Sequence, residues 1–195
     1  MSSFLSPLVK KAFYYAAEKH DGQCRKGSGT PFFVHPALVA LGISTYTKDE
    51  NTIAAAVLHD IIEDCRVSAS DLSKLFNETV SQLVAAVSLP LPDTEKMGEW
   101  KERKGVYLEH IYHASPEALL IIGVDKMLNM KGYFEQATSG NIEVLNTLFN
   151  GTIEDYLWYY GEIENIIHAG LGDHPAAKDY RDLLQHYRSA LNAHA

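Results

Sequence analysis

Cysteine is scarce in this chain, with only Cys24 and Cys65 among 195 residues. So few thiols exclude a fold stapled by disulfides and point to a reducing, cytoplasmic setting. No apolar run reaches the about 18 residues that a membrane span requires. The N-terminus, Met-Ser-Ser-Phe-Leu-Ser-Pro-Leu-Val-Lys-Lys, lacks the basic-then-apolar order of a secretory signal. Positive charge is in deficit, 17 Lys and Arg against 25 Asp and Glu, for a formal charge of −8. That balance argues against nucleic acid or an anionic membrane as the main partner. It leaves open a small anionic ligand held by a local basic loop and a cation, because local field rather than net charge decides that case. Strand-period alternation, internal repeats and low-complexity linkers are absent too.

What is present is the composition of an ordinary globular protein, 46% hydrophobic and 22% charged residues. The length suits one domain over residues 1–195 with a core that needs no staples. Apolar residues recur at helical spacing throughout, which predicts a single all-α helical bundle. Ser6 and Pro7 start a first helix over 6–20, and Pro36 opens a short second one. Ser68 and Asp71 form a loose capping box for a helix starting near Ala69, and Val80, Leu83, Val84 and Val87 mark the next apolar face. Residues 89–98 are the one long connection, with Trp100, Arg103, Lys104 and Tyr107 at helical spacing after it. Ser115-Pro116-Glu117 starts a helix running past Asn129. Further helices are expected over 141–150, 152–169 and from Pro175 to about Ala190, with Tyr156, Trp158, Tyr159 and Tyr160 read as packing.

The chain is organised around residues 51–64, read as one buried helix. Its core, Ile53-Ala-Ala-Ala-Val-Leu-His-Asp-Ile-Ile-Glu-Asp64, is apolar except for His59, Asp60, Glu63 and Asp64. Charged groups are rarely buried unless they are paired or bind a metal. On a helix, positions four apart share a face, which stacks His59 on Glu63 and Asp60 on Asp64. Acids at a helix C-terminus also oppose the macrodipole, and a divalent cation beside them would offset that. Two other stretches carry polar groups in unusual places. The loop over 21–35 is rich in glycine and bears Arg25 and Lys26, with His35 at its end. An Arg guanidinium there can stack on planar rings and clamp phosphate. Asp125 interrupts a long apolar helix, with Asn129 four residues on, and a buried Asp needs a partner. Lys126 is a possible one, but neighbours on a helix do not face each other.

Lined up, three motifs resemble those of an HD-domain metallohydrolase. They are His20-Asp-Gly-Gln-Cys-Arg-Lys-Gly-Ser-Gly-Thr-Pro-Phe-Phe-Val-His-Pro36, Ala56-Val-Leu-His-Asp-Ile-Ile-Glu-Asp64 and Val124-Asp-Lys-Met-Leu-Asn129. Within that superfamily the chain is similar to the small alarmone hydrolases, stand-alone relatives of the hydrolase domain of bifunctional (p)ppGpp synthetase/hydrolases. Weaker likenesses are Trp100-Lys-Glu-Arg-Lys104 and Leu157-Trp-Tyr-Tyr160. The resemblance implies a divalent ion, typically Mn²⁺, on His35, His59, Asp60 and Asp125. It implies that Glu63 and Asp64 activate the hydrolytic water, that Arg25 and Lys26 hold a guanine nucleotide, and that Asn129 lies in the substrate site. The activity it implies is removal of the 3′-pyrophosphate of ppGpp or pppGpp. Val124 and Leu128 depart from the family's pattern, and Leu128 cannot make the hydrogen bond that His or Tyr would. Two alternatives stay open: a phosphohydrolase for another nucleotide, such as the 2′-phosphate of NADPH, and a non-catalytic nucleotide-binding module.

Overall fold

The computed structural model describes residues 6–25, 28–89, 100–138 and 151–192. Among these the regular elements are all helices, as the periodicity predicts, and they fall into two compact units, Met1–Pro90 and Leu91–Ala195. Lys26, the connection expected over 89–98 apart from Leu89, and the helix expected over 141–150 lie outside the described residues.

The first unit holds α1 (Pro7–Lys19), α2 (Val34–Tyr46), α3 (Glu50–Leu58), α4 (Ile61–Cys65), α5 (Ala69–Leu75) and α6 (Glu78–Val87). Helix α3 is its centre, packed by α1, α2 and α6. It buries Thr52, Ala54, Ala55, Ala56, Val57 and Leu58, so it is covered on every side. Its start is fixed by Asp49, whose carboxylate accepts from the Thr52 amide and hydroxyl, each at 2.7 Å. Ser6, Ser68 and Asn77 cap α1, α5 and α6 in the same way.

Two boundaries differ from the sequence expectation. Helix α2 starts at Val34, which puts His35 and Pro36 inside its first turn. Proline is tolerated there because first-turn amides have no intrahelical acceptor to lose. The helix expected over 51–64 is broken at His59-Asp60 into α3 and α4. At the break the His59 ring bonds the Ala56 carbonyl at 2.9 Å, an acceptor that an unbroken helix would offer to the Asp60 amide.

The second unit holds α7 (Trp100–Ile111), α8 (Pro116–Thr138), α9 (Ile153–Leu171) and α10 (Pro175–Asn192). Helix α8 packs on α9 and α10, and α9 packs also on α7 and α10. Aromatic rings fill this core. Tyr133 stacks on Tyr156 at 4.0 Å, Trp100 lies 4.8 Å from Tyr156, and the fully buried Tyr180 donates its hydroxyl to the Tyr160 carbonyl. The tyrosines of 156–160 are therefore packing, as expected. Ser115 and the Thr152–Asp155 capping box start α8 and α9. No described helix is long and apolar enough to cross a membrane.

Candidate metal centre

In the first unit, α2 and the end of α3 bring His35 and His59 together. Both are buried, at 6% and 5% exposure, and their rings meet edge to face at 5.3 Å. Each offers a ring nitrogen, and these nitrogens lie within 4.8 Å of each other. The bond from His59 Nδ1 to the Ala56 carbonyl selects the tautomer, with the proton on Nδ1 and a lone pair on Nε2. That Nε2 lies 3.1 Å from Asp60 Oδ2. Two acceptors at such a distance repel unless a proton or a cation is shared with them.

Glu63 and Asp64 follow on α4 with different surroundings. Glu63 accepts the Leu89 amide at 2.5 Å, so one of its oxygens anchors the chain leaving α6. Asp64 reaches the surface, yet its carboxyl is pushed up to about 6, first by partial burial and then by the charges of Asp60 and Glu63. His20 and His59 oppose that rise. A carboxylate in this range is suited to exchanging protons near neutral pH.

The loop preceding α2 is more ordered than its glycines suggest. The Arg25 amide bonds Thr30, the Phe32 amide bonds Gln23, and Cys24 pairs with Pro31 in an isolated antiparallel bridge. Gly29 turns the loop at φ +68°. The Arg25 guanidinium carbon lies over the Phe32 ring, 5.8 Å from its centre, within cation–π reach.

In the second unit, Asp125 lies on α8 at 5% exposure. Its Oδ1 accepts from Asn129 at 2.6 Å and its Oδ2 from Lys126 Nζ at 2.5 Å. The pairing with Lys126 corrects the helical-wheel argument, since a four-carbon stem folds back to a neighbour that Cβ directions alone would exclude. Burial is the largest single influence on the Lys126 pKa and would lower it, but the charge and hydrogen bond of Asp125, with Tyr107 and Tyr159, together raise the group well above its ordinary value. Lys126 also lies 5.1 Å from the Tyr107 ring centre. Sequence reasoning named Lys126 only as a possible partner of Asp125, and it missed the Glu63–Leu89 anchor and a buried His20. The only sequence signal for the last was a polar ring ending an apolar helix.

A helical frame in which buried His35 meets the histidine of a His-Asp dipeptide makes a candidate metal centre. A family model described as HD domain matches residues 12–143, and the chain belongs to that family. Over 97 residues it is 36% identical to a probable guanosine-3′,5′-bis(diphosphate) 3′-pyrophosphohydrolase of Mycoplasma pneumoniae, an alignment covering 50% of this chain and 13% of that protein. Over 80 residues it is 40% identical to a guanosine-3′,5′-bis(diphosphate) 3′-pyrophosphohydrolase of Vibrio cholerae, covering 41% of this chain and 11% of that one. The matches therefore span about one eighth of these relatives' length or less. A solved structure of a metazoan ortholog of SpoT, described as hydrolyzing ppGpp and playing a role in starvation responses, superposes with a TM-score of 0.72. It is 27% identical and covers 97% of this chain and 99% of that one.

Membership of the family implies a divalent ion. The residues present fit one: two buried imidazoles, one with its tautomer set for ligation, and an adjacent carboxylate whose lone pair meets an imidazole lone pair.

Proposed function

We propose that the protein is a metal-dependent (p)ppGpp 3′-pyrophosphohydrolase, converting ppGpp and water to GDP and pyrophosphate, or pppGpp to GTP and pyrophosphate. The observation that carries this reading is the His59–Asp60 junction. There, where regular helix is interrupted, an imidazole nitrogen and a carboxylate oxygen lie 3.1 Å apart, beside a second buried imidazole. Support for the substrate comes from the alarmone hydrolases named among the relatives and from the ppGpp-hydrolyzing structural neighbour.

In this reading His35, His59, Asp60 and Asp125 hold the ion, with Mn²⁺ as the physiological choice. Three of these, His35, His59 and Asp125, are buried and each offers one ligand atom. The family match over 12–143 includes all four, which supports reading residues 1–195 as one hydrolase domain. A divalent ion there supplies a Lewis acid for a phosphoryl oxygen and makes water more acidic. Asp64 takes the proton of the attacking water, and Glu63 keeps α4 anchored through Leu89 while adding negative charge beside Asp64. Arg25, beside the Phe32 ring, lays its guanidinium against the nucleotide, and Lys26 offsets phosphate charge. Asn129 positions the ribose-phosphate and steadies the Asp125 carboxylate. The setting is the cytoplasm, where guanine nucleotides are available.

A panel of ppGpp, pppGpp and NADPH, assayed separately for pyrophosphate and for orthophosphate, tests the substrate. Pyrophosphate from the first two, with NADPH untouched, is the expected result. Orthophosphate from NADPH with ppGpp intact would move the reading to a nucleotide 2′-phosphatase. Binding of ppGpp without turnover of any substrate would move it to a sensing module.

A further inference from the structure

The motif that begins at His20 contributes more than its basic residues. His20 ends α1 and is 2% exposed, which is unusual burial for a polar ring at a helix terminus. Its Nδ1 donates to Gln23 Oε1 at 2.8 Å and lies 3.5 Å from Cys65 Sγ. Gln23 in turn donates through Nε2 to the Asp64 carbonyl at 3.3 Å and faces Cys65 Sγ at 3.9 Å. The Cys65 thiol donates to the Lys19 carbonyl at 3.4 Å. The face of the His20 ring stacks on Phe32 at 4.9 Å. Phe32 carries the Arg25 guanidinium and meets the His35 ring edge-on at 6.4 Å. One side chain thus touches, directly or through one residue, the Arg25 loop, the start of α2 and the end of α4.

A residue needed only to fill this space would be better apolar. The His20 Nε2 is buried without a hydrogen-bond partner among the described residues, and an unpaired buried polar atom is destabilising. Phe would keep the stack and remove that atom. What Phe could not supply is the Nδ1 bond to Gln23, and Gln23 is the group that reaches α4.

We propose that His20 is a positioning residue of the hydrolytic site, acting through Gln23 to hold the Arg25 loop and the Asp64-bearing helix α4 at a fixed spacing. The substrate-holding and water-activating sides of the site are then braced by one hydrogen-bonded pair. The proposal rests on the hydrolase reading for its kinetic consequence but not for its structural one.

The test uses the full chain with His20→Phe, Gln23→Met and the double variant. Amide hydrogen exchange is followed first in metal-free protein, then kcat and KM for ppGpp are measured with Mn²⁺. His20→Phe should keep or raise the melting temperature. Both single variants should speed exchange at the Arg25, Gly29 and Phe32 amides. Each should lower kcat and raise KM together by roughly tenfold or more, in the range that a sub-ångström to 1 Å misplacement produces. The double variant should be no worse than either single one, because the two residues act as one unit. Wild-type exchange and kinetics in the single variants, or additive losses in the double one, would overturn the brace. If His20→Phe does not fold, Gln23→Met, at a half-buried position, decides by the same readouts. If wild-type protein leaves ppGpp intact, the hydrolase reading has failed, and the exchange measurement still judges the brace.

Discussion

Asp64 and Glu63 are neighbours in sequence but do different things. Asp64 has the raised carboxyl, at about 6, whereas Glu63 spends one oxygen on the Leu89 amide. Asp64→Asn should therefore keep Mn²⁺ and bind ppGpp while kcat falls by about 10²–10⁴, the range of general acid–base groups. Glu63→Gln retains an acceptor for Leu89 and should lose less. Single-turnover hydrolysis and metal content on the same preparations check this, and loss of the ion by Asp64→Asn would make that acid a ligand. Lys126 gives a second residue-scale prediction. Removing one partner of a buried ion pair typically costs about 3–5 kcal/mol, so Lys126→Met should destabilise metal-free protein by that order in urea titration. Saturating Mn²⁺ should recover much of the loss if it can take over the charge of Asp125. The importance of Asp125 was legible because an acid in an apolar run needs a partner. Its pairing with Lys126 was legible only as a possibility, because that depends on how a flexible stem folds.

At the scale of elements, the break between α3 and α4 matters most. Regular helix stops at Leu58 and resumes at Ile61, although His59 and Asp60 keep right-handed helical backbone and the Asp64 amide still bonds the Asp60 carbonyl at 2.9 Å. Helical periodicity found the apolar run and its polar end. It could not find the break, where the His59 ring bonds the Ala56 carbonyl. The other end of α3 was not singled out from sequence, although Asp49 three residues before Thr52 is an ordinary N-cap spacing. Its hydrogen bonds from Thr52 and Asn51 hold the Asp49 carboxyl below its ordinary 3.8, against a desolvation effect that would raise it. Asp49→Ala should cost about 1 kcal/mol, as N-cap losses usually do. Because the folded pKa is the lower one, wild type should keep its full advantage above about pH 4 and lose it as pH falls through the folded value. Chemical denaturation of both proteins from pH 7 to pH 3 would show that gap closing on the acid side. A gap that widens in acid would contradict the capping role.

At the scale of the whole molecule, fold class was the easiest property to read, since helical spacing runs through every described segment and no strand alternation competes with it. The division into two compact units falls at the start of the long connection that Pro90, Pro92 and Gly98 mark, but a connection inside one domain carries the same residues, so the sequence reading kept a single unit. The family assignment came from motif order and is matched over residues 12–143. An ion bound only by the native state stabilises it by mass action, about 2.7 kcal/mol at a hundredfold excess over Kd. Chelation should therefore lower the melting temperature of wild type, while His59→Ala and Asp60→Ala should be insensitive to both chelator and Mn²⁺. Equal metal-dependent shifts in wild type and these variants would remove the His-Asp dipeptide from the site. The central claim is tested most directly by resolving the products of ppGpp on ion-exchange chromatography during a Mn²⁺ titration of metal-free protein. The account predicts that ppGpp disappears only with the ion present, and that GDP and pyrophosphate appear one for one. Intact ppGpp at saturating Mn²⁺, or orthophosphate in place of pyrophosphate, would contradict it.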